Sequence, residues 1–172
     1  MLLDLISGVS GICWAVLLFP ILKPHNKNLT LGFTVIKFIA GLMIIVASII
    51  LLPVIIKAET SITLLLEIHD WIHVILGYIF GINALIFFIL LYQSKLVPRF
   101  ISVWGLIASV FLLVVNLLSM IARSPSMIIL YYLPVILNEI FLAIWLIVKG
   151  FNEEAIMLKF SETNYSEKNN NW

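Results

Sequence analysis

The chain has 172 residues, of which 63% are hydrophobic and 11% charged, and its mean hydropathy is +1.17. A soluble globular domain carries about 25% charged residues, so this composition excludes one and points to a membrane protein. A formal net charge of +1 offers no basic surface that could neutralise a phosphate backbone, which argues against nucleic acid as a partner.

Leu2 to Leu22 is the first apolar run, about 20 residues and long enough to cross roughly 30 Å of hydrocarbon. It reads as a retained span and not as a cleaved signal peptide, because Asp4 stands where a basic segment would precede the apolar core. Ser7, Gly11 and Ala15 recur every fourth position and predict a face on which a neighbouring helix comes close. Cys13, the single cysteine, lies within the same run and is expected as a small core residue without redox chemistry. The string KPHNKN then breaks the helix.

The second span, about 28 residues from Leu29 to Ile56, exceeds the hydrocarbon thickness and must tilt or protrude. Lys37 interrupts it, and Ala40, Gly41, Ala47 and Ser48 offer a small-residue face. Lys57, Ala58 and Glu59 form the linker, and Thr60 or Ser61 is the expected N-cap of a third helix running from 61 to Tyr92. At roughly 100° per residue, His69, Asp70, His73, Gly77, Gly81, Asn83 and Ala84 share one side of it. Ile72, Ile75, Leu76, Ile79, Ile82, Ile86, Ile89 and Leu90 take most of the other, the pattern of a helix with lipid behind and protein in front. Counted back about 20 residues from Tyr92, it crosses into the membrane near Trp71 to His73, leaving Glu67, His69 and Asp70 at headgroup level.

Pro98 suits the first turn of a fourth helix, whose span runs from 99 to 122 with Asn116 as its one strongly polar interior residue. Ser124, Pro125 and Ser126 make a tight turn into a fifth span, 128 to 148, which Pro134 should kink by freeing the carbonyl of Leu130. After Gly150 the chain turns polar, and residues 152–172 read as a tail that ends in disorder. Lys23, Lys27, Lys95, Arg99 and Lys149 flank one side of the membrane against Lys57 and Arg123 on the other. The expected topology is an all-α bundle of five spans, N-terminus outside and C-terminus cytoplasmic.

Two constellations could carry chemistry. His69 and His73, at i and i+4 with Asp70 in the same wedge and Glu67 nearby, could bind a divalent metal. A tetrahedral site needs further ligands, and His25 is expected across the membrane, so a polar helix end facing headgroups is the favoured reading. No metal or haem cofactor is therefore expected. In the second, Lys37, Asn83 and Glu139 all lie about 10 to 14 Å in from the cytoplasmic edge. Separate buried charges are costly, and pairing between Lys37 and Glu139, with hydrogen bonds from Asn83 or Asn138, would reduce that cost. Such a group could be a polar clasp that fixes helix register or a pocket for a small ligand or ion. A metal-dependent enzyme, or a structural subunit associating through small-residue faces with itself or with partner helices, remain as alternatives, and an enzyme ranks behind a binding or packing role.

The strings LLDLISG, IHDWIH, FGIN, LVPRFISVWGLI and LP..LNE.FLAIWLIVKGF resemble a prokaryotic multi-pass membrane family catalogued as a domain of unknown function, number four-three-eight-six. The resemblance covers Leu2 to Phe151 and implies a plasma-membrane protein matching the last five of seven helices. The residues that carry it are His69, Asp70, Trp71, Asn83, Pro98, Arg99, Trp104, Glu139 and Lys149. Lys37 stands where the family tends to have arginine, and Ala40 where it tends to have an acid. The family implies no activity.

Overall fold

The computed structural model describes residues 2–52, 62–122, 128–158 and 161. The expected N-cap at Thr60 or Ser61, the linker around Lys57, the Ser124 to Ser126 turn with Arg123, and all of the tail beyond 158 except Ser161 lie outside them. The described residues form five long helices: α1 (Leu2–Leu22), α2 (Lys27–Ile50), α3 (Ile62–Ser94), α4 (Arg99–Ala122) and α5 (Ile128–Lys149). All five are long and apolar enough to cross a membrane. In hydrocarbon, which has no water to satisfy peptide groups, a helix is the structure such runs can adopt without closing a barrel.

Local chemistry sets several helix ends. α2 begins two residues before the expected start because Asn26 caps it, its side-chain oxygen accepting from the Leu29 amide at 3.2 Å. Lys95 and Gly150 follow the last residues of α3 and α5 with positive φ of 54° and 70°, the left-handed turn that ends many helices. α5 stays helical through Pro134.

Helices adjacent in sequence pack side by side, with α3 between α2 and α4, α1 against α2, and α5 against α4. The α1–α2 crossing is centred on Gly8 and Gly41: a β-carbon added to either would lie 3.0 Å from the carbonyl oxygen of the other. Gly8 therefore lies in the crossing, while Ser7, expected on that face, is exposed. Cys13 is exposed too. This corrects the core assignment, because Cys13 lies outside the buried stripe of Gly8, Ala15, Leu18 and Leu22.

The main core lies toward the end of the bundle where α1, α3 and α5 finish. It joins Leu18 and Leu22 of α1, Phe33 of α2, Phe87, Phe88, Leu90 and Leu91 of α3, Leu96 and Ile101, and Leu142 of α5. Phe33 stacks on Phe87 with ring centroids 5.3 Å apart. At this end α3 is packed over more of its circumference, so Leu90, placed on the lipid face by its angle alone, is fully buried, while Tyr92 stays exposed. Leu76 is buried as well. By contrast, none of the buried residues of α3 precedes Leu76.

Candidate functional site

Lys37 occupies the stripe of α2 that also holds Thr30, Phe33 and Gly41. Its stem passes Gly11 of α1, where an added β-carbon would stand 3.6 Å from Lys37 Cε. Its ammonium lies 5.4 Å from the centre of the Phe80 ring on α3, a cation–π arrangement that partly replaces lost hydration. Gly11 thus makes room for the lysine stem. Glu139 sits on α5 beside the buried stripe of Val135, Asn138 and Leu142, and is itself exposed on the flank of the bundle. No direct ion pair within 4 Å joins the two charges among the described residues.

Asn83 is buried as expected, but it does not join the charges. Its amide donates to the backbone carbonyl of Phe33 at 2.9 Å, pinning α3 to α2. The shared depth of Lys37, Asn83 and Glu139 was insufficient to bring all three together because depth fixes position along a helix and leaves rotation about it free. Asn138 likewise turns away from Glu139, donating to the carbonyl of Ile101 on α4 at 3.2 Å. Its side-chain oxygen and the hydroxyl of Ser102 are buried without hydrogen-bond partners.

The histidine cluster is less enclosed. The His69 and His73 rings lie 4.2 Å apart. Nδ1 of His73 faces the His69 carbonyl at 3.0 Å, and Nδ1 of His69 is 3.5 Å from a carboxylate oxygen of Asp70, whose side chain is 81% exposed. Glu67 is exposed. Among the described residues no group of three or more histidine, cysteine, aspartate or glutamate side chains converges as metal ligands.

A second polar group was not anticipated from the sequence. Tyr78 of α3 donates to the Asn116 carbonyl at 2.9 Å, and Tyr132 of α5 donates to the Asn116 side-chain oxygen at 3.3 Å. A β-carbon on Gly77 would lie 2.9 Å from the Tyr132 hydroxyl and 3.1 Å from that same Asn116 oxygen. The signal available was Gly77 with tyrosines and an asparagine at similar depth, but tyrosine at helix ends reads equally as an interfacial anchor. Tyr132 and Phe80 pack on one small core of Ala108, Leu112 and Val135, so this network adjoins the ring that carries the Lys37 ammonium.

A family model described as Domain of unknown function (DUF4386) matches residues 1–150. No curated protein and no solved structure matches the chain.

Proposed function

Since the chain belongs to the DUF4386 family, a domain of unknown function, we propose that this multi-pass integral membrane protein holds a small polar or ionic ligand between α2, α3 and α5. Lys37 is the cationic contact, Glu139 the anionic one, and Phe80 the apolar floor. The observation that carries the reading is that neither charge is matched by a direct ion pair among the described residues: the Lys37 ammonium rests over the Phe80 ring and Glu139 is open. Two charges within a span are costly to leave unpaired, so a ligand that bridges them would be bound where its own polar groups are also satisfied. Asn83 and the Tyr78–Asn116–Tyr132 network hold the helices on either side in register.

Native mass spectrometry of the protein extracted in mild detergent tests this. A retained small-molecule mass, lost from both Lys37→Met and Glu139→Leu, is the expected result. Wild-type protein that carries no such mass, or variants that keep it, would reduce the two charges to a packing role.

The membrane is proposed to be a prokaryotic plasma membrane, with the end bearing Lys23, Lys27, Lys95, Arg99 and Lys149 facing the cytoplasm. Alkaline phosphatase fused at Trp172 should be inactive and a fluorescent protein fused there should be bright. An active phosphatase would reverse the orientation.

A further inference from the structure

A cleft of roughly 470 Å³ opens between the α3–α4 connection and the end of α5. Three cations line it, Lys95, Arg99 and Lys149, together with Trp145, Gly150 and Asn152. All three cations are exposed, and among the described residues no carboxylate lies within 4 Å of any of them. Glu153 and Glu154 follow closely in sequence but do not line the cleft. An unneutralised group of like charges repels itself, and an anion seated among them removes that repulsion.

The rim is fixed in place. The Asn152 amide donates to the Leu96 carbonyl at 3.0 Å, tying the segment after α5 to the connection before α4. Lys95 and Gly150 turn the chain there with positive φ, while Leu96 is buried in the core and Phe151 packs against it. Within the cleft the Lys149 ammonium lies 4.8 Å from the centre of the Trp145 ring, so the lysine is held over a tryptophan that also lines the cleft.

We propose that this cleft binds the phosphate-bearing headgroup of an anionic membrane lipid. The charged group required is a phosphate with net negative charge, and two features favour a lipid over a free anion as its source. The cleft lies where α4 begins and α5 ends, at the level where a span meets the headgroups and where tryptophan is favoured. An apolar seam also leads away from it along α4 and α5. Phe100, next to Arg99 and 64% exposed, contacts Trp104 and Phe141 with ring centroids 5.8 and 6.3 Å away. A headgroup in the cleft leaves its acyl chains on that seam. Basic pockets between transmembrane helices recognise anionic headgroups on this principle. This site is separate from the one formed by Lys37 and Glu139, and either can fail without the other.

The test titrates full-length protein in detergent with phosphatidylglycerol and with phosphatidylcholine of the same acyl chains, reading bound lipid by native mass spectrometry. Wild type should prefer phosphatidylglycerol. The exposed triple variant Lys95→Gln, Arg99→Gln, Lys149→Gln should lose roughly a hundredfold in affinity for it, about fivefold per cation. A Lys23→Gln, Lys27→Gln variant, which removes charge from the same end outside the cleft, should keep the preference. Equal binding of the two lipids by wild type, or an equal loss per charge in the control, would overturn the proposal. Inorganic phosphate forms a separate arm: failure to displace phosphatidylglycerol at millimolar concentration supports a lipid ligand, whereas phosphate binding without any lipid preference overturns it.

Discussion

The two halves of α3 are both apolar, yet only one is packed. From Leu76 to Ser94 it contributes Leu76, Gly77, Gly81, Asn83, Ala84, Phe87, Phe88, Leu90, Leu91 and Ser94 to the interior, while Ile62 to Ile75 contribute none. Polarity separates these halves in part, since Glu67, His69, Asp70 and His73 all lie in the first, but the rest of that half is largely apolar, and lipid tails as apolar as leucine drive no association by themselves. Small residues separate them. Gly77, Gly81 and Ala84 lie in the packed half, and the other half contains neither glycine nor alanine. Where side chains are small, neighbouring helices come close, and large residues beside them are then buried by shape.

The most severe way to break this difference is to empty the packed half. Phe88 is fully buried against α4, where a β-carbon on Gly105 would fall 2.3 Å from its ring. Phe88→Ala should cost about 3 to 5 kcal/mol, read as a fall in the midpoint of thermal unfolding in detergent. Overfilling the same half comes next. A β-carbon on Gly81 would meet Leu113 Cδ2 at 2.6 Å, so Gly81→Ala should cost about 1 to 3 kcal/mol in the same assay. Asn83→Ala should cost less, about 0.6 to 1.7 kcal/mol, the range for a hydrogen bond between helices in a membrane.

Lys37 and Glu139 lie at the edge of the packed region. Had they formed a buried pair, removing one would cost about 3 to 5 kcal/mol. With Glu139 exposed and no direct contact, the coupling energy from Lys37→Met, Glu139→Leu and the double variant should be below about 1 kcal/mol. A larger value would mean that the two charges close on each other in the membrane. The smallest effect belongs to the bare half: His69→Ala and His73→Ala should each shift stability by no more than about 0.5 kcal/mol, unchanged by chelator. A chelator-sensitive loss would place a metal there.

The candidate site was only partly legible in advance. Lys37 and Glu139 stand out because charge within an apolar run is expensive enough to demand a reason, and Asn83 stands out on the small-residue face. Their partners could not be read off. An asparagine satisfies itself on any carbonyl within reach, and here Asn83 and Asn138 both chose backbone oxygens of neighbouring helices, Phe33 and Ile101. Gly11 signalled a close approach, but its use as a passage for the Lys37 stem depends on where α2 lies.

The five helices were fixed by the sequence alone, because long apolar runs must satisfy their own peptide groups in lipid and a helix does so residue by residue. Some of their ends were readable for a similarly local reason, from Pro98 and the change to polar sequence after Gly150, whereas the Asn26 cap that starts α2 two residues early was not. The small-residue face of α3 was readable too, but which side of α1 meets protein, and how far round α3 the packing extends, was decided only by the tertiary structure. It turned Cys13 outward, enclosed Leu90, and drew Lys95 and Arg99 together with Lys149, distant along the chain, around one cleft. Rotation about a helix axis is set by the shapes of its neighbours, which hydropathy does not record.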